Sequence, residues 1–194
     1  MSGRSLMPAN GSSLHDPARH SPPFWETAFS GTDPDALSEI LSTPNSPIKA
    51  EAKADAPIAY RCNFVATEEL SIADCAYEGT ISIRREAPSG KVIIFLPMEG
   101  DALFDAGKEH IHSVPGRGAI LGAGRVSGAR LLGPRRHLGL FIDQARINRH
   151  LTQMFERTII GDTDFRPSID LTTGPGLVLQ QLAANLHYGL SGDG

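Results

Sequence analysis

From residue 60 to residue 143 apolar side chains recur in short bursts divided by Gly, Pro and Asp. The bursts predict strands over 60–66, 70–77, 80–85, 92–96, 102–104, 108–113, 118–121, 129–132 and 137–142. Ile81 and Ile83 alternate with Ser82 and Arg84, the two-residue period of a strand buried on one face. Asp105-Ala106-Gly107-Lys108 reads as a tight hairpin, because glycine supplies the positive φ of a short turn. Pro115-Gly116-Arg117-Gly118 reads as a second turn. Many short strands with frequent turns predict an antiparallel barrel or sandwich rather than a βαβ sheet.

On either side of this region the period is helical. Upstream, Asp33-Pro34-Asp35 predicts a helix start. Asp33 caps free amides, Pro34 sits where a missing N–H costs nothing, and Asp35 complements the positive helix end. That helix runs through Leu41 and stops before Pro44. Downstream, Asp143 is expected to cap a helix with Ile147, Leu151, Met154 and Phe155 on one face. A further helix begins near Pro175, with a stripe of Leu179, Leu182, Ala183, Leu186 and Leu190. Residues 1–23 are rich in Ser, Pro, Gly and His and read as a flexible tail, too polar to offset the entropy of ordering. The first large aromatics, in Phe24-Trp25-Glu26-Thr27-Ala28-Phe29, are expected to anchor on the core. The expected plan is an α+β, mainly β chain: a tail (1–23), an antiparallel β unit with a short N-terminal helix (24–142), and a C-terminal pair of helices (143–194).

Composition narrows the function. With 194 residues the chain suits one well-buried core, and 40% hydrophobic and 21% charged residues are ordinary for a globular domain. A net charge of −4 argues against nucleic acid as a direct partner, since phosphate contacts need surplus Lys and Arg. No apolar run approaches the roughly 20 residues of a membrane span, and no signal-peptide pattern opens the chain, so a cytoplasmic protein is expected. Cys62 and Cys75 both fall in strand-like stretches and are expected to be buried reduced thiols.

The order of certain segments carries a resemblance. These are Phe29-Ser30-Gly31-Thr32-Asp33-Pro34-Asp35-Ala36, the strand run ending near Pro97 and Gly100, and Val114-Pro115-Gly116-Arg117-Gly118-Ala119. Two more close the chain, Arg149-His150-Leu151-Thr152-Gln153-Met154-Phe155 and Phe165-Arg166-Pro167-Ser168-Ile169-Asp170-Leu171. Together they resemble the N-terminal ligand-binding and dimerisation domain of AraC/XylS-type transcription regulators. The resemblance implies a cupin-like barrel that senses a small molecule, followed by helices that pair two subunits. It also implies two helix-turn-helix motifs further on. No such pattern precedes Ser191-Gly192-Asp193-Gly194, so DNA would be reached only through a C-terminal domain missing from this chain.

Three constellations are candidates for chemistry. Between His110 and Ile142 there is no Asp or Glu, while Arg117, Arg125, Arg130, Arg135 and Arg136 all occur among dense glycines. With Arg84 and Arg85 from an earlier strand, these form a candidate anion site. Guanidinium binds carboxylate or phosphate in bidentate fashion, so the effector is expected to be a small carboxylate or a phosphate- or nucleotide-like anion. The ligand-binding candidates are Arg84, Arg85, Arg125, Arg130, Arg135 and Arg136; the same residues would serve equally as scattered surface ion pairs. The helical stripes offer Leu151, Phe155, Leu179, Leu182 and Leu186 as a homodimer face, or simply as cover for the barrel. His110 and His112 share one strand face, as the ligands of metal-binding cupins do, and define the alternative of a cupin-type metalloenzyme. No acid follows them before Asp143, which departs from that pattern. The chain shows no Gly-x-Ser-x-Gly turn, Walker loop or dinucleotide fingerprint, so the expectation is a binding module without enzymatic activity or cofactor.

Overall fold

Two strands of 16 residues organise the fold. The computed structural model describes residues 25–53, 56–67, 70–106, 109–124 and 127–191. Its long strands are β6 (Lys91–Ala106) and β9 (Gly128–Asp143). Around them lie β1 (Trp25–Gly31), β2 (Ile48–Ala52), β3 (Ala59–Ala66), β4 (Leu70–Glu78) and β5 (Thr80–Arg85). Then come β7 (Glu109–Ser113), β8 (Arg117–Leu121) and β10 (Ser168–Asp170). The helices are α1 (Pro34–Leu41), α2 (Gln144–Phe155) and α3 (Gly174–Leu190).

All the pairings are antiparallel, in the order β1-β3-β4-β9-β6-β8-β10, with β2 on β5, β5 on β9 and β7 on β6. β6 and β9 pair along two limbs. One ladder runs from Lys91↔Asp143 to Pro97↔His137 and is flanked by β4; the other runs from Asp101↔Leu132 to Asp105↔Gly128 and is flanked by β5. Between them the register shifts at Pro97, Glu99 and Asp101. Gly100 sits there with φ +67°, and a Cβ on it would collide with the Pro134 carbonyl oxygen, so only glycine fits. The sheet therefore doubles back on itself and forms the expected cupin-like barrel, with its bend at one end and the strand ends Lys91, Gly128 and Asp143 at the other.

Alternation along the strands sorts side chains into two layers. Inside are Tyr77, Ile81, Ile93, Phe104 and Leu131 with their neighbours. Outside, Leu96, Leu138 and Leu140 form a second cluster with Leu171 and with Ala183 of α3. Cys62 and Cys75 face each other in register on β3 and β4 and are buried free thiols. The Asp33 side chain accepts from the Asp35 amide at 3.0 Å and starts α1, whose Leu37 is fully buried. The turn at Gly116 (φ +89°) closes the Val114↔Arg117 bridge as expected. β6 and β7 pair up to Ala106↔Glu109; the turn between them, like the tail 1–23 and Phe24, lies outside the described residues.

Four expectations need correction. Two predicted strands are parts of β6 and two are parts of β9, because Gly and Pro at a bulge mimic loop punctuation. Trp25 is 52% exposed on the edge strand β1, where only Phe29 reaches inward, meeting Phe64 edge-on at 6.1 Å. Asp143 precedes α2 without a side-chain capping bond, its carboxylate pairing instead with Lys91 at 3.4 Å. The α3 stripe is two stripes. Gly176, Leu179, Ala183 and His187 face the barrel, while Leu182 and Leu186 face outward. Among the described residues no helix is long and apolar enough to cross a membrane.

Candidate functional site

A cavity of about 540 Å³ occupies the barrel interior between the limbs. Its wall is mainly apolar and includes Phe64 from β3, Phe95 and Phe104 from β6 and Phe141 from β9. Phe95 stacks on Phe104 with ring centroids 4.5 Å apart. Near the bend the lining turns polar at Tyr77 and His137, whose rings stack at 5.7 Å. Burial and the neighbouring Arg135 cation push the His137 imidazole down to about 3, so it stays neutral; its Nδ1 has no hydrogen-bond partner. Burial likewise raises the Tyr77 phenol, whose hydroxyl contacts Cys62 Sγ at 3.4 Å. At the open end the lining includes Ser42 and Thr43 after α1, Ser89 between β5 and β6, and Arg85, Lys91 and Asp143 at strand ends.

The five candidate arginines among the described residues do not converge. Arg85 lines the cavity mouth, half-buried, with Nη1 donating to Ser46 Oγ at 2.6 Å. Arg84 and Arg130 are exposed on the outer face, away from the cavity, and Arg125 lies outside the described residues. Arg135 is buried at the bend. It donates to the carbonyls of Gly100 (3.3 Å) and Ser113 (3.1 Å) and to Ser113 Oγ (3.2 Å), beneath the Phe104 ring. Burial lowers it to about 10, which leaves it charged, and its role is to tie β9 to β6 and β7. Arg136 points the other way. Its guanidinium grips Asp74 of β4 at 3.0 and 2.6 Å and donates to the Tyr188 hydroxyl of α3 at 3.0 Å. Arg117, from the same stretch, is exposed and contacts His112 at 3.2 Å.

His110 and His112 lie exposed on β7, each beside a different carboxylate: Asp105 at 2.6 Å and Asp101 at 3.4 Å. Among the described residues no three His, Cys, Asp or Glu side chains are grouped to hold a metal ion. Of the expected dimer residues, Leu151 is half-buried, Phe155 is 58% exposed, and Leu182 and Leu186 are 55% and 45% exposed. Leu179 belongs instead to the cluster under α3. Sequence reasoning missed the phenylalanines of the wall and the Tyr77–His137 pair, since these residues come from separate strands with no shared motif.

α3 is fastened to the outside of the strands that line the cavity. Besides the Arg136–Tyr188 bond, His187 Nε2 donates to the Asn63 carbonyl of β3 at 3.2 Å. Along β9, Arg135, His137 and Phe141 face inward while Arg136, Leu138 and Leu140 face α3. A ligand-sized cavity thus lies in a cupin-like barrel with a helix on its back, the kind of setting in which small-molecule sites occur.

The sequence profile of the AraC-binding-like domain matches residues 38–193. The chain belongs to that family, and is a ligand-binding regulatory domain of the AraC type. Among solved structures, the AraC-like transcriptional activator CuxR aligns with a TM-score of 0.62 at 11% identity, over 86% of this chain and 62% of that one. This chain thus spans about three fifths of CuxR. More distant are a cupin superfamily protein from Desulfitobacterium hafniense and KdgF from Halomonas sp. The first has a TM-score of 0.36 at 15% identity, over 55% of this chain and 87% of that one. The second has a TM-score of 0.36 at 18% identity, over 44% of this chain and 77% of that one. Sequence comparison with curated proteins finds no match.

Proposed function

We propose that this chain is the effector-sensing and dimerisation part of a cytoplasmic AraC-type transcription regulator. A small anionic effector enters the barrel, and DNA is engaged by a separate C-terminal domain. Residues 24–142 sense, and residues 143–194 couple and dimerise. One observation carries the reading: β4, β6 and β9 present one face to the cavity and the other to the layer under α3. A ligand against His137 and Phe141 touches the strand whose next residues, Arg136, Leu138 and Leu140, support that helix. The switch is a population shift, because the effector acts only through its unequal affinity for two arrangements of the helical arm. Supporting a dimer, Met154 and Phe155 of α2 and Leu182 and Leu186 of α3 leave large apolar side chains in water. In an isologous pair these would cover one another.

The test is a thermal-shift screen of carboxylates, sugar phosphates and nucleotides against the wild type and Ala129→Phe, which fills the cavity. A ligand that raises Tm in the wild type alone, and that alters hydrogen exchange in 174–190, is the expected result. Ligands that stabilise both proteins equally would remove the barrel as the sensor.

A further inference from the structure

Resting on that reading, the chemistry of the cavity narrows its ligand. Among the described residues the lining holds three charged side chains, Arg85, Lys91 and Asp143. Lys91 and Asp143 neutralise each other at 3.4 Å. Arg85 has no such partner: among the described residues no carboxylate pairs with it, and its guanidinium donates to Ser46 Oγ. Ser46 in turn donates to the Ala87 carbonyl at 2.8 Å, which leaves that hydroxyl's proton committed and its lone pair turned to the guanidinium. Guanidinium carries five N–H donors, so most of the Arg85 fork remains to bind an anion. A half-buried cation without a counter-charge is costly, and a ligand carboxylate would relieve that cost.

Polar groups line the mouth, Ser42, Thr43 and Ser89 among them, while the wall further in is mainly apolar. Phe64, Phe95, Phe104 and Phe141 offer ring faces and edges, and hydroxyls pressed against them would lose their water. A phosphate monoester brings about −1.5 to −2 charges, more than the Arg85 cation alone offsets. Past the rings, the neutral His137 is 4% exposed and has an unpartnered ring nitrogen beside Tyr77. We propose that the barrel binds a monocarboxylate with an aromatic or branched apolar body. The carboxylate rests on Arg85 at the mouth, the body lies among the four phenylalanines, and the far end reaches toward Tyr77 and His137.

Isothermal titration with 3-phenylpropionate, its primary amide and 3-phenylpropyl phosphate tests this. The variants are Arg85→Gln, Arg85→Lys and Ala129→Phe. The acid should bind the wild type at least about tenfold tighter than the amide or the phosphate, one charged hydrogen-bonded contact being worth that much. Arg85→Gln should lose that advantage while still binding the amide, with a smaller loss than for the acid, which also reports that the cavity is intact. Arg85→Lys should recover part of it. Amide or phosphate binding as tight as the acid, and abolished by Ala129→Phe, overturns the monocarboxylate while leaving the sensor reading standing. No binding of any of the three overturns the ligand class. Binding of the acid that Ala129→Phe leaves untouched overturns both.

Discussion

The barrel and the helical arm obey different rules of burial. In the barrel, Leu96, Leu138, Ile81 and Phe104 are buried essentially completely, and even Arg135 is enclosed with carbonyls around it. In the arm, α2 buries no residue fully, and α3 turns Leu182 and Leu186 into water while fastening one flank to the sheet. The barrel's cohesion comes from its own chain. The arm's apolar surface has more area than its own chain covers, and a helix held along one flank is a natural element to move when the sheet beneath it shifts.

The sharpest way to break this contrast is a matched pair of truncations. Leu138→Ala should destabilise by about 2–5 kcal/mol, while Leu182→Ala should stay within about 0.5 kcal/mol in urea titrations of dilute protein. Equal losses would erase the distinction.

Next comes pH. The folded His137 imidazole titrates at about 3, against an ordinary value of 6.5. Between those values the unfolded chain takes up a proton that the folded chain refuses. Stability should therefore fall as pH drops from about 6.5 toward 3, by up to about 1.4 kcal/mol per pH unit. His137→Gln should flatten that slope in urea titrations run at stepped pH, and an unchanged slope would assign it to other groups.

The joint between the regions gives a smaller effect. Arg136→Ala strands the largely buried Asp74 carboxylate and releases Tyr188, costing about 1–3 kcal/mol. Hydrogen exchange should quicken in 174–190 more than in 91–97; uniform quickening would mean that Arg136 holds only the sheet. Smallest in stability is Leu182→Glu with Leu186→Glu, expected within about 1 kcal/mol for the monomer. Its signature is sedimentation as monomer, and an unaltered dimer would move the contact elsewhere.

The alternation of Ile81 and Ile83, the Asp33 cap and the change of period at Asp143 were readable because each is written in neighbouring residues. The length of β6 and β9 was not, since Gly100 and the Gly133-Pro134 pair carry the same signals as a loop. The arginines show the same limit. Arg135 and Arg136 are adjacent in the chain, and a count of charge treats them alike. A strand sends consecutive side chains to opposite faces, so one lies beneath Phe104 and the other reaches α3.

Local patterning, then, was enough to specify a mainly-β domain with a capped first helix and two amphipathic helices after it. Its AraC-type character was legible as a resemblance, carried by the order of segments along the chain rather than by their patterning. Which arginine meets the cavity, which side of α3 is covered, and that four phenylalanines from three strands share one chamber were settled by the doubling back of β6 and β9. These are relations between residues far apart in sequence, and they exist only once non-local strand pairing has set the register.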